Sequence, residues 1–165
     1  VELVEQMASR DLRIDTVVHA SGSAGTQAGL VAAAKVVAPD LRIVGISVAS
    51  DRETLGAKVR AIAEDLFETL AIDARIEDDD VIVIDQCLDP GYGIITPEVS
   101  RAISDLAQSH GVVLDPVYTG KDWVGLLDLM ETGFISDNEN AVFIHTGGTP
   151  ALFPYQSELE DFLHD

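Results

Sequence analysis

Glycine, hydroxyl and tyrosine side chains gather in four short stretches of this 165-residue sequence, at residues 21–26, 87–95, 116–120 and 146–150. The first stretch, Ser21-Gly22-Ser23-Ala24-Gly25-Thr26, joins the apolar run Thr-Val-Val-His-Ala to a segment of helical spacing. Small residues at such a junction let several backbone N–H groups converge on an anion, where the helix dipole also favours negative charge. Phosphate is the natural guest. The dinucleotide fingerprint does not apply, because a third glycine is wrongly placed. A P-loop is excluded because no Lys-Ser or Lys-Thr pair follows. Taken alone, these residues also fit a tight structural turn between a strand and a helix.

The remaining stretches supply polar groups that a plain turn does not need. Asp89-Pro90-Gly91-Tyr92-Gly93 displays Tyr92 between two glycines that permit close approach, so the ring can stack or donate a proton; an exposed loop tyrosine is the alternative. Asp115-Pro116-Val117-Tyr118-Thr119-Gly120-Lys121 offers the hydroxyls of Tyr118 and Thr119, although Thr119 also suits an ordinary helix cap. Lys121 reads as a solvated lysine in the first helical turn, since an amine nucleophile requires burial. Trp123 reads as packing. Ile144-His145-Thr146-Gly147-Gly148-Thr149-Pro150 points the Thr146 hydroxyl beyond another strand end. His19 and His145, at strand ends with apolar neighbours, read as satisfied core histidines, and Cys87 as a small buried residue without a base to activate it.

These stretches need a frame to bring them together. Short Val- and Ile-rich runs at residues 16–20, 42–48, 81–85, 112–115 and 141–145 predict strands. Apolar spacing predicts helices over residues 1–10, 25–37, 52–70, 97–109, 121–131 and 156–163. Thr96-Pro97 is a cap followed by proline at the first helical position, and His110-Gly111 closes that helix. The acidic run at residues 77–80 reads as a loop. Alternating strands and helices imply an α/β domain with a mostly parallel sheet and helices on both faces. Ligands in that architecture sit beyond the carboxyl ends of the strands, where the four stretches fall.

Composition narrows the function. Apolar residues make up 47% of the chain and aromatics 5%, which suits an aliphatic core around a buried sheet, and the length fits one domain over residues 1–165. The formal net charge of -19 repels phosphate backbones and anionic membranes, so no nucleic acid and no membrane are expected as partners. The same carboxylate density would keep a protein hydrated in strong brine. A single cysteine permits no internal disulfide, and a cytoplasmic setting follows as the expectation. No metal-ligand pattern is read.

In this order, the stretches "ASGSAGTQAGL", "PGYG", "LDPVYTGK" and "FIHTGGTPALF" resemble the family of D-cysteine desulfhydrase and 1-aminocyclopropane-1-carboxylate deaminase, pyridoxal-phosphate enzymes of the tryptophan synthase β type. The resemblance spans residues 17–153. It implies pyridoxal 5'-phosphate as cofactor, a small amino acid as substrate and a homodimer. Ser23, Ala24, Gly25 and Thr26 would bind the cofactor phosphate. Tyr92 and Tyr118 would serve proton transfer, Thr146 would meet the pyridine nitrogen, and Thr119 would sit close to it. The deaminase branch carries glutamate and leucine where Thr119 and Thr146 stand. The implied reaction is therefore α,β-elimination from a cysteine-like amino acid to pyruvate, ammonia and sulfide. An L-cysteate sulfo-lyase, the deaminase itself and a non-catalytic phosphate-binding module are the alternatives. Lys35, Lys58 and Lys121 do not match the family's Schiff-base lysine. A chain opening on Val-Glu-Leu inside a predicted helix is accordingly expected to be the C-terminal portion of such an enzyme, inactive alone.

Overall fold

The computed structural model describes residues 1–163. Along the chain come α1 (Glu2–Arg10), β1 (Thr16–Ser21), α2 (Gly25–Val37), β2 (Arg42–Ser47), α3 (Arg52–Thr69), β3 (Ile82–Ile84), α4 (Pro97–His110), α5 (Thr119–Glu131), β4 (Ala141–Ile144) and α6 (Gln156–Leu163). All four strands run parallel, in the order β3-β2-β1-β4. β1 pairs along its whole length with β2, from Thr16 opposite Arg42 to Ser21 opposite Ser47, and with β4 on its other side. Every residue of β1 is buried, as expected of a strand covered on both faces.

Alternation along the strands divides the core. Val17 and Ile43 pack with Ala28, Val31, Leu55 and Val59 beneath α2 and α3. Their neighbours Val18 and Val44 pack with Leu126 and Leu129 of α5 on the opposite face. A further cluster of Ile103, Leu106, Leu114 and Val124 joins α4 to α5. Full burial of Val17 or Val18 contributes roughly 1.5–3 kcal/mol each, so the two faces hold the sheet with comparable force. The α/β architecture with helices on both faces is thus the one the sequence pattern implies.

Two expectations fail for identifiable reasons. Residues 112–115 form no strand, because their polar backbone groups are engaged elsewhere. The Val113 carbonyl accepts from the His145 ring at 2.9 Å, and the Asp115 amide donates to Thr119 Oγ1 at 2.8 Å. The acidic run before β3 is a single 3-10 turn at Asp78–Asp80, closed by the Asp80 carboxylate accepting from the Glu77 amide at 2.6 Å.

Candidate active site

β1 is the point at which the order of strand addition reverses. The chain proceeds from it to β2 on one side, while β4 lies on the other, which opens a crevice beyond the carboxyl ends of β1 and β4. A cavity of about 440 Å³ occupies that crevice, lined by Ala20, Gly22, Ser23 and Thr26 from the first turn and by Ala49 after β2. Tyr92, Tyr118, Thr146, Gly147 and Gly148 complete the wall. All four stretches singled out in the sequence therefore meet at one place, and the volume suits a small cofactor with its substrate.

The first turn presents an open helix end. α2 starts from Ala24, which adopts the left-handed conformation (φ 73°), and no side chain caps it. The N–H groups of Gly25, Thr26 and Gln27 lack intrahelical acceptors by virtue of their position. By contrast, α3 and α4 are capped by Asp51 and Thr96, which accept from Thr54 and Val99 at 2.8 Å and 3.3 Å. Ser23, Gly25 and Thr26 are exposed at the mouth of this turn, while Ala24 is buried behind it. Ser21 Oγ, buried at the end of β1, has no hydrogen-bond partner among the described residues. Open donors, a favourable dipole and an orphaned hydroxyl together fit a phosphate group.

Two phenols face the cavity from the second and third turns. The rings of Tyr92 and Tyr118 meet edge to face with centroids 6.0 Å apart, and their hydroxyls share a hydrogen bond. That bond, and then burial, raise the pKa of Tyr118. Asp115 builds the turn that presents Tyr118. Its Oδ2 accepts from the amides of Val117 and Tyr118, and its Oδ1 accepts from the Thr119 amide, each at 2.8 Å. The Thr119 hydroxyl donates to Asp115 Oδ1 at 2.7 Å. Thr119 is thus fully buried with its hydroxyl committed to Asp115, behind the cavity wall that Thr146 lines directly. Gly148, at φ 93°, closes the fourth turn onto this structure: a Cβ there would lie 2.6 Å from Asp115 Oδ1.

Asp115 was not singled out in the sequence, although an aspartate four residues before a threonine across a Pro-containing turn is a signal of side-chain capping. Lys121 departs further from expectation. It is fully buried, with Nζ donating to the carbonyls of Gly91 at 2.7 Å and Leu88 at 3.4 Å, and burial lowers its pKa. Asp122, next to it, is buried with both oxygens unpartnered among the described residues, and burial pushes its carboxyl well above the usual carboxylate range. No pattern in the sequence marks that residue.

Trp123 and Cys87 keep their expected packing roles, whereas the histidines depart from satisfied core residues, His145 by its exposure and His19 by one ring nitrogen without a partner among the described residues. Trp123 packs edge to face on Phe143 at 5.3 Å. Cys87 is half-buried, with its thiol pushed up to about 11, chiefly by burial. His145 is exposed, but both ring nitrogens are engaged, by the Val113 carbonyl and the Gly147 amide. His19 is buried, with Nδ1 on the Ala20 carbonyl and Nε2 unpartnered among the described residues. A larger hollow of about 620 Å³, formed by the C-terminal end of α3 and residues 71–77, is walled by Glu64, Glu68, Asp73 and Glu77. Arg75 is the one cation in its lining, and the phenols and threonine that mark the crevice are not part of it.

Residues 1–147 match the family model described as pyridoxal-phosphate dependent enzyme. Over 156 residues, covering 94% of the chain, the sequence is 36% identical to a D-cysteine desulfhydrase of Klebsiella pneumoniae, of which it covers 47%. A Pyrococcus abyssi protein provisionally assigned as a 1-aminocyclopropane-1-carboxylate deaminase is 39% identical over 165 residues, covering 98% of this chain and 48% of that protein. The crystal structure of an ACC deaminase homologue superposes with a TM-score of 0.85 at 34% identity, covering 98% of this chain and 48% of the other. The chain spans about half the length of the curated relatives it matches.

Proposed function

Because the chain belongs to the family of pyridoxal-phosphate dependent enzymes, we propose that it is the cofactor-holding part of a lyase that eliminates the β-substituent of a cysteine-like amino acid. The reaction, of the D-cysteine desulfhydrase type, takes up water and yields pyruvate, ammonia and sulfide. The observation that carries this reading is the uncapped start of α2, which opens into the same cavity as Tyr92, Tyr118 and Thr146. A bare phosphate binder has no use for the last three.

When bound, the cofactor supplies an electron sink for the pair released at the substrate α-carbon. The residues of this chain fit it in distinct roles. The amides of Ser23, Ala24, Gly25 and Thr26 hold the phosphate, with Ser21 Oγ beneath them. Thr146 offers the pyridine nitrogen a neutral hydroxyl, which does not fix a proton there as a carboxylate would. A neutral partner at that position would suit elimination of a β-substituent. Tyr118, hydrogen-bonded to the Tyr92 hydroxyl, is suited to donating to or accepting from the substrate, and Tyr92 can relay a proton to solvent because it is 56% exposed. Thr119 supports Tyr118 through Asp115. A cytoplasmic homodimer acting on a small amino acid is the setting that goes with this reading. Among the described residues no helix is long and apolar enough to cross a membrane.

The test combines the chain with the lysine-bearing half of a D-cysteine desulfhydrase and pyridoxal phosphate. Pyruvate and sulfide in equal amounts from D-cysteine are expected, and the chain alone is expected to release neither. Sulfite from L-cysteate, or a keto acid without sulfide from 1-aminocyclopropane-1-carboxylate, would reassign the substrate. Phosphate binding with no turnover of any of these would reduce the chain to a binding module.

A further inference from the structure

Lys121 is the residue whose placement the reaction leaves unexplained. A lysine in the first turn of α5 opposes the helix dipole, and a fully buried ammonium is costly unless its donors are satisfied. Among the described residues no carboxylate pairs with it. Its partners are two backbone carbonyls, Gly91 and Leu88, both in the loop that carries Tyr92. Charge-assisted hydrogen bonds of this kind are the strong ones.

Cys87 and Ile95 anchor the two ends of the loop in the core, but the stretch between them has little else to fix it. Its own backbone contributes Leu88 N–H to the Asp85 carbonyl at 3.0 Å and Ile94 N–H to the Gly91 carbonyl at 3.4 Å, and Asp89, Pro90 and Tyr92 are exposed or nearly so. Lys121 also lies three residues after Tyr118 on the same helix start. One rigid element thus carries one phenol and grips the loop that carries the other.

We propose that Lys121 is a positioning residue: its buried amine, which donates to the Gly91 and Leu88 carbonyls whether or not it carries its extra proton, holds the loop so that the Tyr92 hydroxyl meets that of Tyr118. The mechanistic importance of the phenol pair rests on the elimination reading; the tethering itself does not. The hydrogen bond between the phenols gives a readout without cofactor, because it raises the pKa of Tyr118. Asp115 and Tyr155 face Tyr118, and Cys87 and Asp89 face Lys121, so their ionisation is common to all variants compared.

The experiment follows tyrosinate absorbance of the 165-residue chain, which has three tyrosines, as pH is raised. One phenol is expected to titrate later than the others. Tyr92→Phe abolishes the late phase, Lys121→Met abolishes it likewise, and Lys121→Met added to Tyr92→Phe changes nothing further. A folded Lys121→Met, judged by circular dichroism and Trp123 fluorescence, that keeps the late phase overturns the inference. Where Lys121→Met does not fold, amine acetylation of the native chain decides. Lys121 is expected to stay unmodified while exposed Lys58 reacts, and equal reaction of the two overturns the tether. In the complemented, cofactor-loaded assembly, Lys121→Met should lower kcat far more than it changes KM. Absence of turnover in the wild type would remove the elimination reading and leave the titration result standing.

Discussion

α2 and α3 follow neighbouring parallel strands and start at the same edge of the sheet, yet they begin in opposite ways. α3 starts on Asp51, whose carboxylate accepts from the Thr54 amide at 2.8 Å and the Thr54 hydroxyl at 2.7 Å. α2 starts on Ala24, held in the left-handed region with nothing to offer its own amides. The start of α3 is sealed by its own sequence, and the start of α2 has no side-chain cap. Water can serve these exposed amides in the free chain, and in the proposed function the phosphate of the cofactor supplies the acceptor that α2 lacks.

The largest expected effect comes from making α2 resemble α3. Ala24→Asp introduces a carboxylate at the open end, in a conformation that aspartate tolerates. It should weaken binding of pyridoxal phosphate about 100-fold, equivalent to roughly 3 kcal/mol, and lower the melting temperature as well, because Ala24 is buried in the core beneath α2. Binding that survived the substitution would show that the phosphate sits elsewhere. The converse change removes a cap from a helix that needs it. Thr96→Ala should cost about 1 kcal/mol in stability, read by chemical denaturation, and leave cofactor binding unaltered.

The smallest effect is a pH dependence confined to the sealed end. Hydrogen bonds from Thr54 hold the Asp51 carboxyl below its ordinary value of 3.8. A group with a depressed folded pKa contributes stability above its unfolded pKa and loses it as pH falls through the folded value. Wild type and Asp51→Asn should therefore differ most at neutral pH and converge in acid below 3.8. No comparable acid dependence is expected from α2, where no carboxylate caps the start.

Local signals made much of this legible in the sequence. Thr96-Pro97 and Gly111 fixed the ends of α4 because caps act within one turn. The Val- and Ile-rich runs located β1 to β4, since burial on both faces demands them. Residues 112–115 carry the same composition but no ladder, because pairing depends on a neighbour strand that composition does not specify. Lys121 was misread for a related reason. Its burial is imposed by a loop some thirty residues earlier, and no local pattern encodes that contact. Thr119 was placed in the correct turn, but its hydroxyl went to Asp115, a choice between equally short reaches that only the folded turn decides.

The central claim is that the open start of α2 is the phosphate-binding element of the cofactor site. Amide NMR spectra of the chain, recorded while inorganic phosphate and then pyridoxal phosphate are added, test it most directly. Both ligands should shift the amides of Ser23, Ala24, Gly25 and Thr26, with pyridoxal phosphate alone also moving Thr146 and Tyr118, while the first turn of α3 stays still. Shifts centred on the start of α3, or none at residues 23–26, would contradict it.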